Sequence, residues 1–231
     1  MLFRSCLNEL KRVKRYCGKS FAYPLPLGET PTGERRNYAL AEIGSLLLLA
    51  DDGAGKMNAL RTLITSLVIG GSLTKPDFLF IDTKRVQLAP YETFVHLKAP
   101  TIKEPEEAIG LLKRLVEDKN PGKTPLVVLI NETSDLLEAA NQVSGLCQAL
   151  AHEGKNKNIY LIAATQRNDP EIFLEDLKNA FDSMMELHYG GKEATLSRKS
   201  EKDEELIVPT LSEKECLATL KSLKDKREKK Q

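Results

Sequence analysis

The chain has no apolar run of bilayer length. The leucine run at 46–49 is far shorter than the ~20 residues a membrane-spanning helix needs, so direct membrane insertion is not expected. Charge of one sign is also missing: 34 Lys and Arg stand against 33 Asp and Glu, a formal net charge of +1. A global field that would demand a nucleic acid or an acidic partner is therefore excluded, and any DNA contact must come from local patches. Cysteine is scarce and scattered. Cys6, Cys17, Cys147 and Cys216 lack metal-ligand spacing, which reads as reduced thiols with no metal site. Lys11-Arg12 and Lys14-Arg15 break up the first apolar residues, so no signal peptide is expected and the cytoplasm is the expected compartment. Internal repeats are absent.

What remains is a well-patterned chain with 41% hydrophobic residues, enough for a real core. It is organised around Ser45–Met57, SLLLLADDGAGKM. An apolar run, a short glycine-containing loop and a helix-compatible segment are the layout of a phosphate-binding P-loop. Backbone N–H groups at a helix N-terminus point at an anion, and a lysine reaches the outer phosphates. The consensus G-x-x-x-x-G-K-[ST] falls on Ala50 to Met57, with alanine at the first glycine and methionine at the final hydroxyl. Gly53, Ala54, Gly55, Lys56 and Met57 form the expected cofactor-binding loop.

The rest of the chain alternates strand and helix patterns. An amphipathic basic helix is expected over 1–22 and turns over 23–37. Strands are expected at 38–42, 45–50, 77–82, 125–130, 159–164 and 183–189, with a short one at 94–97. Helices are expected at 56–70, 104–118, 134–152, 170–181 and 212–229, the last in a charged extension over 191–231. This pattern predicts an α/β domain over 23–190, with a mostly parallel central sheet and helices on both faces. Ligands in such sheets bind beyond the carboxyl ends of the strands. Those ends present Asp82, then Asn131 and Glu132, then Thr165, Gln166 and Arg167.

An apolar strand ending in Asp-Glu usually supplies the second half of a P-loop NTPase site, Asp for the magnesium shell and Glu for the attacking water. Here the pair is Asn131-Glu132. Asn brings no charge, and the Met57 thioether is a soft acceptor where magnesium wants hard oxygens. The metal half is thus weakened, while Lys56 and Glu132 stay in place. Glu132 and Gln166 are the candidate catalytic residues.

Five stretches in order resemble the motor domain of the FtsK/SpoIIIE family of DNA translocases. They are LGETPTGE at 27–34, the loop region 46–56, IDTKRVQLAPYETFVHL at 81–97, VLINETSDLL at 128–137 and ATQR at 164–167. The resemblance implies a RecA-like P-loop fold, ATP as cofactor, a homo-oligomeric ring or a partner ATPase, and double-stranded DNA as substrate. It implies that Gly53, Gly55 and Lys56 hold phosphates, that Glu132 activates water and that Gln166 senses phosphate. It places Lys84 and Arg85 near a subunit boundary or the nucleotide. Ala50, Met57 and Asn131 depart from the family's metal-binding pattern. The expected function is nucleotide binding with weak or lost hydrolysis, on or with duplex DNA. Two rivals stand beside it: an active ATP-driven translocase subunit, and a non-catalytic scaffold module of a larger motor or secretion complex.

Overall fold

The computed structural model describes Arg4, Asn8 and residues 23–51, 53–70, 75–120, 122–166 and 175–228, with side chains as far as Leu223. The helix expected over 1–22 lies almost wholly outside these residues, as do Asp52, Arg167 and the start of the helix expected at 170.

In chain order, β1 (Pro24–Glu29) and β2 (Arg35–Ala39) form a hairpin, and the short helix α1 (Leu40–Ile43) leads into β3 (Leu46–Ala50). Next come α2 (Lys56–Gly70), β4 (Asp77–Asp82), β5 (His96–Leu97) and α3 (Pro105–Glu117). β6 (Leu126–Asn131), α4 (Thr133–Ala139), α5 (Gln142–Glu153), β7 (Ile159–Thr165) and α6 (Glu175–Ala180) follow. The described chain closes with β8 (Ser183–Leu187), β9 (Glu193–Arg198), β10 (Glu204–Ile207) and α7 (Glu213–Glu228). Among the described residues, ten strands make one sheet in the order β2-β1-β10-β9-β8-β3-β7-β6-β4-β5. The pairs from β8 through β5 are parallel and those from β2 through β8 antiparallel. The α/β class with a mostly parallel centre is the architecture found.

The central strands are buried on both faces, as continuous apolar runs require. Alternate residues feed two cores. Leu46, Leu48, Phe78, Phe80, Val127 and Leu129 face one core with Leu60, Leu63 and Leu67 of α2. Leu47, Leu49, Leu79, Ile81, Val128 and Ile130 face the other with Leu112, Leu136 and Leu150. Every parallel strand from β3 to β7 therefore delivers its last residue to one rim.

Several elements differ from the expectation. The Pro- and Gly-rich stretch expected as turns contains β1 and most of β2. β1 tolerates Pro24 and Pro26 because its pairing with β10 is confined to Glu29–Ile207, and its register with β2 slips between Pro26 and Gly28. Prolines belong at such edges and bulges, where no ladder donor is missed. The strand expected at 38–42 ends at Ala39, where the chain turns into α1. The single helix expected at 134–152 is broken at Ala140, which is extended. The polar stretch 191–205, read without strands, holds β9 and much of β10. β9 alternates exposed and buried residues, the pattern of an antiparallel strand with one wet face.

Two local packings make testable statements. Gly70 ends α2 against β1, and a Cβ there would lie 2.3 Å from Pro24 Cδ. Gly70→Ala is expected to cost about 1–3 kcal/mol through overpacking, read as a lower urea midpoint at unchanged slope. On β10, Glu204 accepts from Arg36 Nε at 2.6 Å and from Tyr38 Oη at 2.9 Å. Burial alone would raise the Glu204 carboxyl, but these hydrogen bonds and the Arg36 and Arg198 charges outweigh it and hold it below the usual range. The stabilisation is present above the ordinary carboxylate pKa and is lost as pH falls through the lowered one. Glu204→Gln is therefore expected to cost about 1 kcal/mol near pH 7, with the gap to wild type closing in urea titrations below pH 4.

Candidate nucleotide site

The loop leaving β3 is shaped by two glycines with positive φ, +76° at Gly53 and +82° at Gly55. No atom lies within 4 Å of a Cβ built at Gly53, so that glycine is needed for its backbone angle rather than for space. Ala54 N donates to Asp51 O at 2.9 Å and Asn58 N to Gly55 O at 2.8 Å, which closes the loop onto the first turn of α2. Ala54 is fully buried, Met57 half-buried and Asp51 exposed. The amides of Lys56 and Met57, at the start of α2, lack intrahelical acceptors by the geometry of any helix.

Lys56, the first residue of α2, is 2% exposed. Its ammonium donates to Asn131 Oδ1 at 2.8 Å and forms an ion pair with Glu132. Burial pulls the Lys56 pKa down, while Glu132, Asp82 and Asp135 push it back up; the net direction is down. Asn131, at the end of β6, is fully buried. Its Nδ2 donates to Asp82 Oδ1 at 2.9 Å and to Gln87 Oε1 at 2.7 Å. This amide orientation is fixed by chemistry, because lysine only donates and a carboxylate only accepts. The other Asp82 oxygen accepts from Leu88 N at 2.9 Å. A carboxylate at position 131 could accept from Lys56 but could not donate to Asp82, which sits opposite it in the β4–β6 register. Asparagine is thus the residue that reconciles a buried cation on one side with a buried anion on the other.

Glu132 adopts a left-handed conformation, φ 58° and ψ 59°, which a non-glycine residue rarely takes unless its surroundings enforce it. The ion pair with Lys56 holds one carboxylate oxygen, and Gln166 N donates to the other at 3.2 Å. Beneath, Thr165 Oγ1 donates to Ser134 Oγ at 2.9 Å and Thr133 Oγ1 to Ala164 O at 3.2 Å, which ties the ends of β6 and β7 together. The structure therefore brings Lys56, Asn131, Glu132, Asp82 and the Gln166 backbone into one buried network, with Gly53, Ala54 and Gly55 on the loop beside it. Lys84 lies further out and pairs with Asp135 at 2.7 Å, and Arg85 pairs with Glu104.

The arrangement fits the phosphates of a nucleotide: a glycine loop, a helix start and a lysine. It does not fit magnesium. The Asn131 amide is committed to its neighbours, both Asp82 oxygens already accept hydrogen bonds, and Met57 offers only a thioether. Among the described residues, no group of three or more His, Cys, Asp or Glu could hold a metal ion.

Sequence reasoning missed three contributors. Gln87 was hidden in an irregular stretch. Asn58 was hidden within a helix; its Nδ2 donates to Pro209 O at 2.9 Å and its Oδ1 accepts from Leu211 N at 2.7 Å, while Arg61 Nε reaches Leu211 O at 3.1 Å. The β8–β9 turn was hidden beyond the last expected strand. A Cβ built at Gly55 would lie 3.2 Å from Gly191 Cα. Only the Gly190-Gly191 pair signalled a turn there.

The FtsK/SpoIIIE family model matches residues 10–123, a stretch that includes the loop, Lys56 and Asp82. The protein is 26% identical over 219 residues to the DNA translocase FtsK of Chlorobaculum tepidum, covering 80% of this chain. It is 27% identical over 230 residues to that of Oceanobacillus iheyensis, again over 80% of the chain. Over this stretch the chain is similar to FtsK/SpoIIIE-type P-loop domains. It spans 27% and 29% of the length of those two relatives. Solved structures of the same fold include the pCW3 conjugation coupling protein TcpA with ATPγS, at TM-score 0.72 and 17% identity over 92% of this chain and 72% of that one. Another is the cytoplasmic domain of the Thermomonospora curvata type VII secretion ATPase EccC, at TM-score 0.70 and 17% identity over 87% of this chain and 31% of that one. No helix among the described residues is long and apolar enough to cross a membrane.

Proposed function

We propose that this domain binds ATP through its phosphates, with little help from magnesium, hydrolyses it slowly or not at all, and works on or beside duplex DNA. The observation that carries this reading is the Asn131 side chain, whose amide hydrogens are spent on Asp82 and Gln87 while its carbonyl serves Lys56. The position that would anchor a metal shell instead joins one buried cation to one buried anion. A bound phosphate competes with Glu132 for Lys56. When Lys56 turns outward to it, Glu132 loses its counter-ion, and a water at that carboxylate is polarised without a metal opposite. Binding survives this arrangement better than turnover does. The duplex is proposed from the family and from the relatives' function as translocases, and local basic patches rather than net charge would make the contact. A ring of identical subunits or a partner ATPase supplies the assembly.

Calorimetry with ATP and ADP, with and without magnesium, tests the reading. Saturable binding is expected, with a Kd that shifts by less than about threefold on adding magnesium. ATP turnover is expected to stay at background with and without DNA. Magnesium-dependent turnover that duplex DNA stimulates and Lys56→Ala abolishes would establish the active translocase instead. Absence of binding at millimolar nucleotide would leave the scaffold.

A further inference from the structure

The turn that joins β8 to β9 meets the phosphate loop and carries a bare aromatic ring. β8 runs parallel to β3, with Leu187 opposite Ala50, so residues just beyond β8 rise on the same rim as the loop. His188 N donates to Glu193 O at 2.9 Å and Gly191 N to His188 O at 3.0 Å, which fixes a tight turn. Gly190 and Gly191 both have positive φ, +90° and +64°. Gly191 presses on the loop, since a Cβ at that position would lie 3.2 Å from both Ala54 O and Gly55 Cα. Tyr189 stands two residues away and is 88% exposed, the most exposed large apolar side chain among the described residues. Two residues of chain place its Cα within about 7 Å of Gly191.

We infer that Tyr189 is a stacking platform for the base of a nucleotide whose phosphates occupy the Gly53–Lys56 loop; this rests on the nucleotide-binding reading above. The chemistry needs a flat, polarizable face near the phosphate cradle, and the hairpin carries an exposed ring two residues from the glycine that touches the loop. Stacking on an aromatic ring tolerates any base, so the platform adds affinity for nucleotides as a class and does not select adenine. Gly191 keeps the hairpin close enough to the loop for one ligand to touch both.

Calorimetry on the full chain, comparing ATP, ADP and inorganic tripolyphosphate, separates the two claims. Tyr189→Ala is expected to raise the Kd for ATP and ADP by roughly 5- to 100-fold and to leave tripolyphosphate binding unchanged. Tyr189→Phe, which keeps the ring, is expected to bind ATP as wild type does. An unchanged ATP Kd in Tyr189→Ala, or wild-type binding of tripolyphosphate as tight as ATP, would overturn the platform and leave the phosphate site standing. Equal weakening of all three ligands would also overturn it, by assigning Tyr189 to loop shape. No binding of any of the three by wild type would bring down the nucleotide reading and the platform together.

Discussion

Lys56→Met is expected to abolish the response to ATP and to cost the protein about 3–5 kcal/mol of stability near pH 7. The second effect follows from burial. Lys56 and Glu132 are 2% and 3% exposed, and the ammonium is the counter-ion of a carboxylate that water scarcely reaches. Removing the cation leaves an uncompensated buried charge, which is far more costly than losing a surface pair. Lys56→Met combined with Glu132→Gln should regain part of the loss at pH 7 while still failing to bind ATP, which separates the structural role of the lysine from its role toward ligand. Urea denaturation at pH 7 is the measurement. A single variant within about 1 kcal/mol of wild type at pH 7 would show that Glu132 is not dependent on Lys56.

The second large effect is expected from placing at position 131 the aspartate that usually ends such a strand in a P-loop site. Asn131→Asp should cost about 2–4 kcal/mol near pH 7, although it returns the strand end to the pattern of an active enzyme. The variant loses both donations from Nδ2, and a second carboxylate then faces Asp82, which is 1% exposed. Like charges in one dry site repel. The lost stability returns as pH falls and the introduced carboxyl takes up a proton, which also recreates a donor toward Asp82. Thermal unfolding from pH 8 to pH 5 should bring the variant back toward wild type. Magnesium in millimolar amounts should raise its melting temperature and leave that of wild type unmoved, because only the variant offers two facing carboxylates. Equal stability at all pH values would mean that Asp82 does not rely on the Asn131 amide.

Much of the fold was legible because its centre obeys simple rules. Leu46–Leu49, Phe78–Ile81 and Val127–Ile130 are unbroken apolar runs bounded by turns, and such runs have few uses other than strands buried on both faces. The rim was legible for the same reason: once the strands are parallel, the residues that follow them must cluster. What the sequence hid depends on partners distant along the chain. β1 is a strand despite Pro24 and Pro26 because β2 and the end of β10 accept it, and no local signal in 23–37 announces them. β9 and β10 are polar on one face, so their short alternation was lost among charges. Within the site, Lys56 and Glu132 could be named from spacing, but their contact could not. It was the Asn131 substitution, legible only as a loss, that the structure explained as a bridge to Asp82 and Gln87.

The order in which the sheet is laid down along the chain bears on how the protein is made. β1 leaves the ribosome well before the inner neighbour it pairs with, β10. The start of α2 likewise receives Pro209 and Leu211 onto Asn58 only after some 150 intervening residues have been synthesised. Closing loops of that length is slow, and the edges left waiting are exposed to other chains. The phosphate loop therefore becomes a site only once β8, β9 and β10 have been made and dock, which also gives the nascent β1–β2 hairpin its inner neighbour.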